Sequence, residues 1–415
     1  MKLWFIVLVI FSIIINEFAI AQTTKSGDLF KEISSTISNL PGSSGDKYHL
    51  PSSTQMTTWT NTLDLLLSAK YSAASDSVSK LGYRLVNFTD TTTSPSNNYY
   101  VLEARDTNHW GTYIYNPNYC RPLVIQSPHS KKDANTGHQG IHVFIETQAL
   151  FFFLNGTHRC NSSVNSSCTG TTTACSSTSA PFRISDLAHH TSSIFQKSTE
   201  VLFTKFSNTH FIQLHGFSKK STDPYVILSN GTQVTPTPDY MADFKSNLYN
   251  EDTSLTFKVA HLDLSWTRLR GFSNTQGRLI NSGSDPCNAN ATQSNGRFFH
   301  MEQEKEKLRK NKDTWNKVAN ALIKTFSCSP SFINPVNQLE TYEVYPNPVS
   351  DVIRIDFESA GKRKIRLFSL SGNMVMETLK EQKAVALNLG ELPCGVYIMK
   401  IFSGHQVYHF KLVKE

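Results

Sequence analysis

No cysteine occurs before Cys120, and the seven in this 415-residue chain include no C-x-x-C pair and no zinc-ribbon spacing. Thiolate metal binding is therefore excluded. The chain also lacks a Gly-x-Ser-x-Gly elbow, a Walker loop, a GxGxxG turn after a strand and a His-Glu-x-x-His helix. Serine hydrolases of the elbow type, P-loop and dinucleotide enzymes and zincin proteases lose their usual signatures. Charge of one sign is never concentrated: the formal net charge is +7, and the densest basic run, Lys305 to Lys312, is interrupted by Glu306. Such a run reads as a solvated helix face, and no nucleic-acid partner is expected.

Long apolar runs are equally scarce. Leu3 to Ile15 is nearly continuous, follows Lys2 and is followed by Ala19-Ile20-Ala21 before Gln22. It is short for a membrane span, no second run follows, and the small-x-small pattern is that of a signal-peptidase site. Residues 1–21 are read as a signal peptide, which makes disulfides chemically possible. Cys160, Cys168 and Cys175 crowd a Ser/Thr-rich segment that must be a surface loop, with one disulfide expected among the three and Cys394 as the expected unpaired thiol. One or two disulfides in all are expected.

With 39% hydrophobic residues the chain can bury a large domain and a small one. Apolar spacing over Thr54 to Ser79 is helical, and "GYRLVNF", "YYVLEAR" and "WGTYIYNP" alternate like strands, giving a β-rich lead-in. From Cys120 strands and helices alternate: Leu123 to Gln126, a helix over Gly140 to Thr147, Leu150 to Leu154, a helix over Asp186 to Phe206 capped by Ser185, Phe211 to Leu214, "YVILSNG", a helix near Asp239 to Tyr249, "RFFHME", and a helix over Glu304 to Phe326. This pattern predicts an α/β domain over 22–328, an open, mostly parallel sheet with helices on both faces. A Pro/Asn/Ser linker over 329–340 then leads to short strands with turn signals over 341–415, a small C-terminal all-β sandwich.

The segments "YEVYPNPVSDVIRI", "LFSLSGNMV", "LPCGVYIMKI" and "HFKLVKE" in this tail resemble the C-terminal sorting domain of the type IX secretion system of Bacteroidetes. The resemblance implies export through the periplasm, passage over the outer membrane by the type IX machinery, and release or surface attachment as the sole link to a membrane.

Polar residues punctuate the apolar strands of the central domain. His129 and Asp133 follow Leu123 to Ser127, Asn155, His158 and Arg159 follow "ALFFFL", His215 follows "FIQL", and His300 and Glu302 lie in "RFFHME". Parallel strands would bring these ends to one rim. A hydrolytic Zn2+ site needs three protein donors, an open position and a carboxylate base. By type, His129, Asp133 and His215 are the metal ligands, Glu302 the base, and Arg159 the cation for a substrate carboxylate or a developing oxyanion. His158 and His300 are candidates for supporting or substrate groups, and Asn274 and Arg278, in a Gly-bearing loop, for substrate binding. His138, His142, His189 and His190 are assigned to helix surfaces. The order His-acid, Arg, His, Glu over Leu123 to Gln303 resembles the zinc-carboxypeptidase superfamily and its N-formylglutamate amidohydrolase-like relatives. Carboxypeptidases carry His-x-x-Glu where this chain has His129-x-x-x-Asp133, and Asp133 could instead orient His129. The resemblance implies a secreted zinc-dependent hydrolase of an amide bond in a peptide-like or amino-acid amide substrate that bears a carboxylate. The alternative is a non-catalytic secreted or surface-attached binding protein on such a scaffold.

Overall fold

The computed structural model describes residues 23–105, 108–328, 342–357, 360–370, 372–403 and 406–415. The signal peptide and the expected linker lie outside the described residues. The chain divides into two compact units, Met1–Ser329 and Pro330–Glu415.

In the first unit the strands are β1 (Thr23–Gly27), β2 (Tyr83–Asp90), β3 (Asn97–Ala104), β4 (Thr112–Tyr115), β5 (Arg121–Ser127), β6 (Ala149–Leu154), a hairpin of β7 (Thr171–Thr172) and β8 (Ala180–Pro181), β9 (His210–Gly216), β10 (Val226–Ser229), β11 (Phe257–Val259) and β12 (Phe298–Gln303). The helices are α1 (Leu29–Asn39), α2 (Ser53–Leu67), α3 (Tyr71–Ser79), α4 (Thr136–Glu146), α5 (Ile194–Lys205), α6 (Tyr240–Glu251), α7 (Thr275–Ile280) and α8 (Lys312–Thr325). All strands except the β7–β8 hairpin form one ten-stranded sheet in the order β1-β2-β3-β4-β6-β5-β9-β12-β10-β11.

The four central strands β6, β5, β9 and β12 run parallel. The lead-in strands join the same sheet, but β2, β3, β4 and β6 pair antiparallel, as does β10 with β12. The sheet is therefore mixed, and parallel pairing governs its centre. Short connections explain this, since β2, β3 and β4 are too close in sequence for crossover helices.

Side chains alternate across the sheet. Ile125, Phe152, Ile212, Leu214, Phe299 and Met301 share one core with residues of α1, α4, α6 and α8. On the other face Trp59 of α2 packs against Tyr83 and Tyr113, and Phe195 of α5 against Phe153. Both faces are thus covered, and every residue of β6 is buried. Burial of each of its three phenylalanines contributes roughly 1.5–3 kcal/mol.

Two helix boundaries differ from the sequence reading. The helix expected from Asp186 begins at Ile194, because Ser193 caps it by accepting from the Gln196 amide. Asp186 instead precedes a 3-10 turn, Leu187–His189. The helix expected from Glu304 is a π turn, Lys305–Arg309, followed by α8, which starts at a capping box of Asn311 and Thr314. The Arg309 guanidinium turns back onto the carbonyls of Gln303 and Ala134, interrupting the run.

Three disulfides close this unit: Cys120–Cys328, Cys160–Cys175 and Cys168–Cys287. The expected short loop staple is Cys160–Cys175, and two long-range links exceed the one or two disulfides expected. Cys394 is free and exposed.

The second unit is all β. It comprises β13 (Tyr342–Tyr345), β14 (Val352–Phe357), β15 (Arg363–Ser369), β16 (Met374–Lys380), β17 (Ala384–Asn388), β18 (Gly395–Ser403) and β19 (Gln406–Lys414). These form a three-stranded sheet, β13-β14-β17, and a four-stranded sheet, β16-β15-β18-β19. Ile353, Ile355 and Leu387 of one share a core with Ile365, Leu367, Met399 and Ile401 of the other, as period-two alternation requires.

Candidate metal centre

Strand parity determines which polar groups meet. In the parallel β9–β12 pair, His215 is in register with Glu302 and Gln213 with His300. The four side chains therefore stand on one face, while Leu214 and Met301 point to the opposite core. His129 follows β5 at the same rim, and the Lys132 and Asp133 amides both donate to its carbonyl in the turn that leads to α4. Arg159 follows β6.

The groups converge. His129 Nδ1 lies 3.2 Å from Asp133 Oδ2 and 3.0 Å from His215 Nδ1, and His215 Nδ1 lies 3.5 Å from Asp133 Oδ2. Donors about 2.1 Å from a tetrahedral zinc are ~3.4 Å apart, so this triangle fits one such cation. The far nitrogens are committed elsewhere: His129 Nε2 is 2.8 Å from Asp186 Oδ1, and His215 Nε2 is 2.7 Å from Gln213 Oε1. As Gln213 Oε1 can only accept, His215 carries its proton on Nε2 and directs the Nδ1 lone pair at His129. The Asp186 carboxylate favours the same tautomer at His129.

A network steadies these groups. Asp186 is fully buried and receives Arg159 Nε at 2.9 Å as well as Nη2, while His189 Nδ1 lies 3.0 Å from it. Arg159 Nη1 is 3.2 Å from His129 Nδ1. Gly216 donates its amide to Asp133 Oδ2. A Cβ at Gly216 would stand 2.2 Å from the Arg309 guanidinium carbon, so only glycine fits there. His300 stacks on His215 with ring centroids 4.4 Å apart. His300 Nδ1 and Glu302 Oε2 are buried with no hydrogen-bond partner.

Electrostatics separates the two carboxylates. Burial would raise Asp133, but the His129 charge and the bonds from His129 and His215 hold it far below the usual carboxylate range. Burial, then the Asp133 charge, pushes Glu302 up to about 8. Burial and Arg159 act to depress His129, but Asp186 and Asp133 together hold it above the ordinary imidazole value. Burial takes His215 down to about 4.

The site opens into a cavity of about 430 Å³ whose lining includes His129, Arg159, His189, His215, His300 and Glu302. Of the other residues expected at substrate, Asn274 and Arg278 do not line it. Asn274 is buried as the N-cap of α7 and donates to Gln213 Oε1. Arg278 spends its donors on the carbonyls of Phe272 and Cys287 and on Asn290. His158 lines a separate cavity with Lys132, Asn161 and Arg183. His189, assigned to a helix surface, lies in the site, and His142 and His190 are buried. Asp186 and Gln213 are missed by sequence reasoning. An Asp after Ser185 reads as a helix start, and a Gln inside an apolar strand gives no distinct signal.

Comparison with known proteins bears on the second unit. Residues 343–415 match the secretion system C-terminal sorting domain family. That domain marks a secreted or outer-surface-attached protein and implies interaction with the type IX secretion machinery. No curated protein matches the chain. Among solved structures, a DUF3244-family protein with an immunoglobulin-like β-sandwich fold from Bacteroides vulgatus is 14% identical, covering 19% of this chain and 88% of that one, with a TM-score of 0.18. PorZ, a surface component of the type-IX secretion system of Porphyromonas gingivalis, is 19% identical over 19% of this chain and 12% of its own, with a TM-score of 0.17.

Proposed function

We propose that the first unit is a zinc-dependent hydrolase of an amide bond in a carboxylate-bearing substrate, carried out of the cell by the sorting domain of the second. The observation that carries this reading is the triangle of His129 Nδ1, His215 Nδ1 and Asp133 Oδ2, with both imidazoles turned toward one point by Asp186 and Gln213. A bound zinc ion would supply Lewis-acid polarisation of the scissile carbonyl and acidify water.

The chain's own groups do the rest. Glu302, buried beside His215 with one oxygen unpartnered, accepts the proton of the attacking water and passes it to the leaving nitrogen. A divalent cation nearby opposes the burial that raises this carboxyl, bringing it toward the range in which a base works near neutral pH. Arg159, fixed by Asp186, presents Nη1 beside His129 and supports the developing oxyanion. His129→Ala should lose bound zinc and activity together, and Glu302→Gln should keep the zinc and lose turnover by ~10² or more. Elemental analysis of the mature protein and its variants, with turnover on N-acyl amino acids, tests both. Mature protein that takes up no zinc would sink the hydrolase and leave a binding protein.

A further inference from the structure

Arg159 is a poor anchor for a substrate carboxylate, because its Nε and Nη2 already bind Asp186 and its Nη1 faces His129. A second guanidinium lines the same cavity. Arg270 lies on the segment between β11 and α7, partly exposed, and among the described residues no carboxylate pairs with it. Its guanidinium instead stacks over Phe272 at 4.4 Å, a contact that leaves the hydrogen-bonding edge free.

The backbone holds this group at the mouth of the site. Gly271 has φ +64°, and a Cβ there would lie 2.7 Å from the His300 ring, so the chain passes directly against the ring that stacks on His215. Arg278 pins the next residue through the Phe272 carbonyl. Glu302 is the one carboxylate among the lining residues, against two guanidinium groups. At about 430 Å³ the cavity has the size of a small-molecule site.

We propose that Arg270 is the specificity-determining residue of this cavity and binds the free carboxylate of a small acyl amino acid or peptide terminus. The inference rests on the hydrolase reading for the identity of the scissile bond, but not for the carboxylate subsite itself.

Calorimetric binding of N-benzoylglycine and of its carboxamide tests it, using the full mature protein in the Glu302→Gln form to prevent turnover. The acid should bind at least about tenfold more tightly than the amide, as a charge-assisted bidentate contact provides. Adding Arg270→Gln should abolish that preference, and Arg270→Lys should restore part of it. Equal binding of acid and amide, or a preference that survives Arg270→Gln, overturns the proposal. A preference that depends on Arg270 in a protein without zinc or turnover would retain this subsite and reject the hydrolase. Turnover indifferent to Arg270 would do the reverse.

Discussion

Replacing Asp186 by Asn would weaken three neighbours at once, since its carboxylate faces Arg159, His129 and His189 in a fully buried position. Arg159 would be left as a buried cation without its counter-charge, a change that costs about 3–5 kcal/mol when buried pairs are broken from one side. His129 would lose the group that orients its ring, a loss that lowers metal affinity ~10–100-fold in comparable sites. Asp186→Asn should therefore lower Tm and weaken zinc binding in competition with a chelator. Unchanged zinc affinity would show that Asp186 serves stability alone. At this scale the chain was legible where chemistry follows an apolar strand, as at His129 and His215. It was opaque at Asp186, which joins the site only through a fold contact 57 positions from His129. Asn274 and Arg278 were named for their polarity, but helix capping and loop anchoring use that polarity up.

Strand β9 carries two unrelated jobs on its two faces. Gln213 and His215 serve the site, and His210, of opposite parity, lies on the face of α6 and α8 with its ring 5.0 Å from Tyr240 and 4.7 Å from Phe326. Burial first, then Arg297, depresses His210 to about 4, against 6.5 for a free imidazole. The unfolded chain thus binds this proton before the folded one does. The stability from a neutral His210 is complete above pH ~6.5 and is lost as pH falls toward 4. His210→Phe, which keeps a ring among aromatic neighbours, should lose less Tm than the parent between pH 7.5 and pH 5. Equal losses by calorimetry would assign the acid sensitivity to other groups. The elements themselves were readable from periodicity, and the misplaced starts at Ile194 and Lys312 arose where capping side chains and a π turn override an apolar pattern. Antiparallel flanks were hidden because alternation marks a strand without its direction.

At the scale of the whole molecule, the Cys168–Cys287 link joins two segments that wall the cavity, one carrying Thr171, Thr172 and Phe182 and the other Asn290. The zinc donors belong to other elements. Cys168→Ser with Cys287→Ser should lower Tm, the loop-closure term being at most ~4–5 kcal/mol for so long a loop. It should also weaken N-benzoylglycine binding severalfold while zinc content stays near one equivalent. Loss of zinc in that variant would show that the link supports the metal centre itself.

The Cys120–Cys328 link has a mechanical meaning beyond stability. It ties residues 208 positions apart, and Cys168–Cys287 nests a second ring of 119 positions inside the first. A chain knotted together in this way cannot be drawn through a narrow conduit as a single extended thread, however strongly it is pulled. Once these bonds form in an oxidising compartment, the last barrier before the exterior must admit a body whose radius of gyration is on the order of 19 Å for a unit of this length. The width of the exit is thus written into the cross-links of its cargo.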